Sequence, residues 1–220
     1  MRIDEFLAQH AQEPGGPTFQ LESSKMLEIK VDGTVWAKAG SMVAYNGELK
    51  FKRRTGGIGK MLKKALTGEG SQTMQVEGVG MLYLADQAKE IHVLQLAEGE
   101  AVSVNGNDVL AFESSITWKI KMMKKVAGWA SGGLFNMELN GPGMIAFTTH
   151  GNPLVLRTPV MTDPQATVAW SATTQPSFKT DLNLGSFIGR SSGETFQMNF
   201  AQEGGFVVVQ PYEEGGASPG

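Results

Sequence analysis

The chain has 220 residues, 41% of them hydrophobic and 19% charged, which excludes a disordered or fibrous polypeptide and allows a globule that buries roughly 70% of its unfolded surface. A formal net charge of -3 excludes a protein that is basic as a whole, so any attraction to phosphate requires a local patch. The absence of cysteine excludes disulfides, zinc-thiolate sites and thiol nucleophiles, and it suits a reducing compartment, with the cytoplasm as the expected address.

The N-terminal stretch MRIDEFLAQHAQE carries Asp4 and Glu5 where a secretory peptide has a continuous apolar run. Ile3, Phe6, Leu7, His10 and Ala11 share one face of a short helix that stops before Pro14, so residues 1–17 are expected to form a helix and linker. Nowhere does the chain contain a run of about 18 apolar residues that would span a bilayer. At the other end, residues 213–220 offer no apolar anchor and are expected to be a disordered tail.

Between them, residues 18–212 read as one β domain of three internal repeats, about 18–86, 87–149 and 150–212. Two motifs carry the repeat. SMVAY at 41 to 45, DVLAF at 108 to 112 and ATVAW at 166 to 170 each join a branched apolar residue to Ala and an aromatic. Downstream of each comes a Met with an alternating apolar partner (Met74 and Val76, Met137 and Leu139, Met198 and Phe200), then a glycine, then a second apolar run. The glycines Gly80, Gly143 and Gly205 are spaced by 63 and 62 residues. Alternation on both sides of a glycine predicts a β-hairpin in each copy. One copy has too few apolar positions to close its own core, so the expected fold is all-β, with three tandem antiparallel β-units around a pseudo-threefold axis and short helical connections.

Catalytic patterns fail at named positions. The histidines His10, His92 and His150 have no metal-ligand spacing, and His92 and His150 read as a strand and a turn residue. GWASG has its serine misplaced for a nucleophile elbow. A phosphate loop ending at Gly59 and Lys60 would need glycine at Arg54 and a hydroxyl at Met61. The expectation is therefore no enzyme activity, no metal and no cofactor.

One feature points to a partner. GKMLKKAL from Gly59 and KMMKKVAGWA from Lys121 share a basic, apolar core at a spacing of 61 residues, and Lys60, Lys63 and Lys64 lie off the apolar stripe of Ile58, Met61, Leu62, Ala65 and Leu66. The plainest reading is a connection between strands whose lysine stems cover apolar surface. The functional readings are, first, contact of Lys60, Lys63, Lys64, Lys121, Lys124 and Lys125 with an anionic membrane or protein surface, and second, nucleic acid, disfavoured because stacking aromatics are not interleaved.

The ordered series WAKAGSMVAYNGELKF, a Gly- and Lys-rich stretch, VEGVGMLYLA and VSVNGNDVLAFESSITW resembles the altered-inheritance-of-mitochondria family, a mitochondrial-biogenesis family with many bacterial members, over about residues 18 to 212. The resemblance implies a fold similar to the tryptophan RNA-binding attenuation protein (TRAP-like), with three β-units per chain. It implies no catalytic residue, and it links the family's eukaryotic members to mitochondrial inner-membrane organisation. Together these readings anticipate a non-enzymatic scaffold or interaction protein, cytoplasmic and peripheral to a membrane, with homo-oligomer formation. The alternatives are a nucleic-acid-binding ring or a small-ligand-binding β-protein.

Overall fold

The computed structural model describes residues 1–12, 15–53, 73–122, 135–180 and 196–212. Among these, a single helix, α1 (Ile3–Gln9), precedes sixteen strands, so the chain is all-β, as its glycine content and alternation predict. The backbone N–H of Arg2 donates to Glu5 Oε2 at 2.9 Å, satisfying one group at the start of α1. The predicted apolar face forms, but Ile3, Phe6 and Leu7 stay exposed. The expected helical connections and the C-terminal tail lie outside the described residues.

The first strands, β1 (Phe19–Ser23), β2 (Met26–Lys38), β3 (Met42–Arg53) and β4 (Thr73–Leu84), form one antiparallel group. β4 lies between β2, paired from Leu27↔Leu84 to Lys38↔Thr73, and β3, paired from Met42↔Leu84 to Arg53↔Met74. β1 folds back on the start of β2. Met74, Val76, Leu82 and Leu84 alternate inward from β4 onto Leu27, Ile29, Val31 and Val35.

Next come β5 (Glu90–Leu96), β6 (Ala101–Asn105), β7 (Val109–Glu113), β8 (Thr117–Met122), β9 (Phe135–Asn140) and β10 (Gly143–Thr149). β10 lies between β5 and β7, and β9 lies between β6 and β8. The last group is β11 (Leu154–Arg157), β12 (Val160–Thr162), β13 (Thr167–Ser171), β14 (Ser177–Thr180), β15 (Phe196–Phe200) and β16 (Phe206–Val209). Here β16 lies between β11 and β13, and β15 between β12 and β14.

Two ladders join the groups. β2 pairs with β7 through Trp36↔Phe112, and β6 pairs with β13 through Trp170↔Ser103. The strand orders are therefore β3-β4-β2-β7-β10-β5, with β1 also on β2; β11-β16-β13-β6-β9-β8; and β12-β15-β14. Around the second ladder Val102, Val104, Phe112, Met137, Leu139, Ile145 and Val168 make one buried cluster, and Trp170, Met198, Phe200 and Val207 make another.

The predicted hairpins do not form. β4 runs unbroken through Gly78 and Gly80, while β9 and β10, like β15 and β16, pair with different strands and not with each other. Apolar alternation on both sides of a glycine is satisfied equally by a run that continues past the glycine, bending within one sheet in β4 and passing from one sheet into another at β9 and β10 and at β15 and β16. The glycines serve close approach there. A Cβ on Gly78 would lie 1.9 Å from the Glu48 carbonyl oxygen, and one on Gly143 would lie 2.5 Å from Ser115 Oγ.

Candidate functional site

Of the six lysines singled out by the sequence, Lys60, Lys63, Lys64, Lys124 and Lys125 lie outside the described residues. Lys121 is on β8, where its ammonium is paired with the Glu138 carboxylate of β9, so part of its charge is already matched within the sheet. His92 stands in β5, where Nε2 and Thr149 Oγ1 are 2.8 Å apart. Because the Thr149 hydroxyl donates to the Gly151 carbonyl at 2.7 Å, it is left to accept from His92, which places the imidazole proton on Nε2. Burial lowers the pKa of His92, against the raising effect of Glu90. His150 stands just past β10, with its backbone N–H donating to Gln210 Oε1 at 2.8 Å. Among the described residues no three His, Asp or Glu side chains converge as metal ligands, and no helix is long and apolar enough to cross a membrane.

The densest charge cluster lies where the first strand group meets the second. Lys89 Nζ is 2.8 Å from Asp108 Oδ1, with the two side chains 6% and 0% exposed. Lys38 Nζ is 2.7 Å from Asp86 Oδ2 and also donates to the Asn107 carbonyl at 2.7 Å. Thr148 Oγ1 donates to Asp86 Oδ2 at 3.2 Å. Asp86 and Lys89 bound a four-residue turn, closed by the Lys89 N–H to the Asp86 carbonyl at 2.8 Å, in which Gln87 and Ala88 both have positive φ. That backbone costs a non-glycine residue roughly 1–2 kcal/mol, and the paired side chains at both ends hold it in place. Each carboxylate faces an ammonium, so the cluster is suited to locking a junction rather than to proton transfer. The sequence gives no hint of it, because charged residues beside a turn read as solvated.

A different surface is left open by the sheets. Among the described residues β3 pairs only with β4, and the outer edge of its first half carries no further strand, while the Tyr45 ring packs edge-on against Phe51 with centroids 5.1 Å apart. Met42, Val43 and Tyr45 are 39%, 52% and 49% exposed. Their counterparts in the sequence motif are buried: Val109, Leu110 and Phe112 on β7, flanked in its sheet by β2 and β10, and Val168 and Trp170 on β13, flanked by β6 and β16. Covering the exposed remainder of Met42, Val43 and Tyr45 would contribute on the order of 1 kcal/mol apiece. The second half of β3 carries Glu48, Lys50 and Lys52, charges of the kind that discourage edge pairing, whereas residues 42–46 carry none. The short strand β12 is a second uncharged edge, paired among the described residues only with β15, and its Met161 is 50% exposed.

Comparison with known proteins finds a matching protein family and similar solved structures. A family model described as "Mitochondrial biogenesis AIM24" matches residues 19–212. A crystal structure of protein SPYM3_0169 from Streptococcus pyogenes, a structural-genomics target, is similar with a TM-score of 0.67 at 21% sequence identity, over 89% of this chain and 93% of that one. At that identity the likeness concerns the fold. No curated protein matches the chain.

Proposed function

The chain belongs to the mitochondrial biogenesis AIM24 family, and on that footing we propose that it is a non-enzymatic scaffold whose work is done by surfaces that bind other macromolecules. The observation that carries this reading is the exposed apolar strand at Met42, Val43 and Tyr45, whose counterparts at 109–112 and 168–170 are buried and lie between neighbouring strands. An edge of this kind, uncharged and apolar on its exposed faces, is a site for strand addition.

The proposal includes the arrangement of the chain as three TRAP-like units around a pseudo-threefold axis. Support comes from the ladders: in each group one strand run pairs with the same two positions before its glycine and the same two after it. Backbone hydrogen bonds recur as well. Ala85, Thr148 and Gln210, spaced by 63 and 62 residues like the glycines, donate to the carbonyls of Ser41, Asp108 and Ala166 at 2.9, 2.8 and 2.9 Å.

A photo-crosslinking residue placed at Tyr45 in cells tests the binding reading. Covalent adducts to another polypeptide are the expected result, and a chain that stays free of adducts would overturn it. Contact with an anionic surface through Lys60, Lys63, Lys64, Lys124 and Lys125 is a further proposal, supported by the run of uncompensated charge in the sequence, with Lys121 contributing least because Glu138 already pairs it. Flotation with anionic vesicles, before and after changing these lysines to glutamate, should show binding and its loss.

A further inference from the structure

We infer that the partner of the β3 edge is a second copy of this chain, which inserts its strand β12 beside Met42–Asn46, with Met161 opposite Tyr45. This rests on the three-unit reading above, with the junction between the third unit and the first left open within the chain, where no described residues pair β12 with β3, and it names the occupant of the surface proposed there. Both existing junctions join the same two strand positions. At the first, Val35, Trp36 and Ala37 of β2 face Glu113, Phe112 and Ala111 of β7. At the second, Val102, Ser103 and Val104 of β6 face Ser171, Trp170 and Ala169 of β13.

The donor positions are fixed independently by the ladder on their other side. Val35, Trp36 and Ala37 face Val76, Gln75 and Met74 of β4. Val102, Ser103 and Val104 face Leu139, Glu138 and Met137 of β9. In the third group, Val160, Met161 and Thr162 face Phe200, Asn199 and Met198 of β15. So Val160, Met161 and Thr162 are the third donor set. The third acceptor set, aligned by its aromatic, is Asn46, Tyr45 and Ala44. Transferring the register puts Val160 opposite Asn46, Met161 opposite Tyr45 and Thr162 opposite Ala44.

The two strands are complementary, and among the described residues β3 pairs only with β4 and β12 only with β15, so no described strand lies on the other side of either. Tyr45 and Met161, each about half exposed, would cover one another, with the thioether against the aromatic ring. Because the donor and acceptor are different strands, the contact is heterologous. Copies join head to tail, into a ring if the rotation closes and into a filament if it does not.

The lack of native cysteine makes the test clean. Tyr45→Cys and Met161→Cys are made as separate full-length proteins, checked for unchanged circular dichroism, mixed, and oxidised. Residues directly opposite on antiparallel strands have Cα atoms about 4.5–5.5 Å apart, within disulfide range. The proposal predicts a disulfide-linked dimer containing one copy of each variant, formed in the mixture at least tenfold more than in either variant alone. If the mixture stays monomeric it is overturned, and it is equally overturned if the double variant closes its disulfide within one chain. The outcomes separate this inference from the broader one. Adducts from Tyr45 to an unrelated protein would sink the second-copy partner while leaving the binding surface standing, and the absence of any adduct would sink both.

Discussion

Asp108 is fully buried and its Oδ1 is 2.8 Å from Lys89 Nζ, which is itself nearly inaccessible, so removing one charge takes a close counter-charge from the other in a medium that solvates ions poorly. At that separation the Coulomb attraction is about 6 kcal/mol for an effective dielectric of about 20, offset by several kcal/mol of desolvation per ion. The net worth of the pair against an apolar replacement is therefore small, but the cost of Asp108→Ala is about 3–5 kcal/mol, because the ammonium loses that carboxylate. For a chain of this length that corresponds to a fall in Tm of about 6–20 °C. The double variant Lys89→Met/Asp108→Ala should recover most of the loss, giving a coupling energy of about 2 kcal/mol or more in a double-mutant cycle read by urea unfolding and circular dichroism. A single-variant cost below about 1 kcal/mol, or costs that simply add, would refute the view that this pair holds the turn between β4 and β5 against the start of β7.

The same turn gives a gain-of-stability prediction. Replacing Gln87 and Ala88, both at positive φ, by Asn and Gly should raise stability by about 1–2 kcal/mol, seen as a higher urea midpoint at unchanged slope. At the opposite sign, Gly78→Ala would place a Cβ 1.9 Å from the Glu48 carbonyl at a φ of 134°, and thermal melts should show a loss of at least about 2 kcal/mol. His92 is held below its ordinary pKa by burial, so the unfolded chain binds its proton more readily than the folded one. Its contribution is thus complete above about pH 6.5 and is lost as pH falls through the folded value. His92→Gln should flatten the difference in Tm between pH 7.5 and pH 5.

Much of this architecture can be read from the residues. Met74, Met137 and Met198 with Val76, Leu139 and Phe200 mark equivalent buried positions on β4, β9 and β15, and the alternation that surrounds them is enough to specify strands. What alternation does not encode is where a strand goes after its glycine, because period-2 burial is the same for a hairpin and for a corner. Gly80, Gly143 and Gly205 were therefore placed correctly and given the wrong geometry. The SMVAY motif is equally legible, yet its exposure is not: Tyr45 and Phe112 occupy matching places in the motif, and only the presence of β2 beside Phe112 and the openness of β3 distinguish them. Asp86, Lys89 and Asp108 stayed hidden because a charged residue's burial depends on partners far away in sequence, Lys38 lying 48 residues from Asp86. The basic segments were singled out for charge and apolar spacing, and Lys121 alone among their six lysines falls within the described residues, bound to Glu138.

The central claim is that residues 42–46 of β3 are a covered junction in the working protein, completed by another strand. Hydrogen-deuterium exchange of the peptide spanning those residues, measured across a dilution series, addresses it directly. The outward amides should be protected at high concentration to the degree seen for 109–112, and should lose that protection on dilution or in Tyr45→Lys. Rapid exchange of 42–46 at every concentration, with 109–112 protected throughout, would contradict the account.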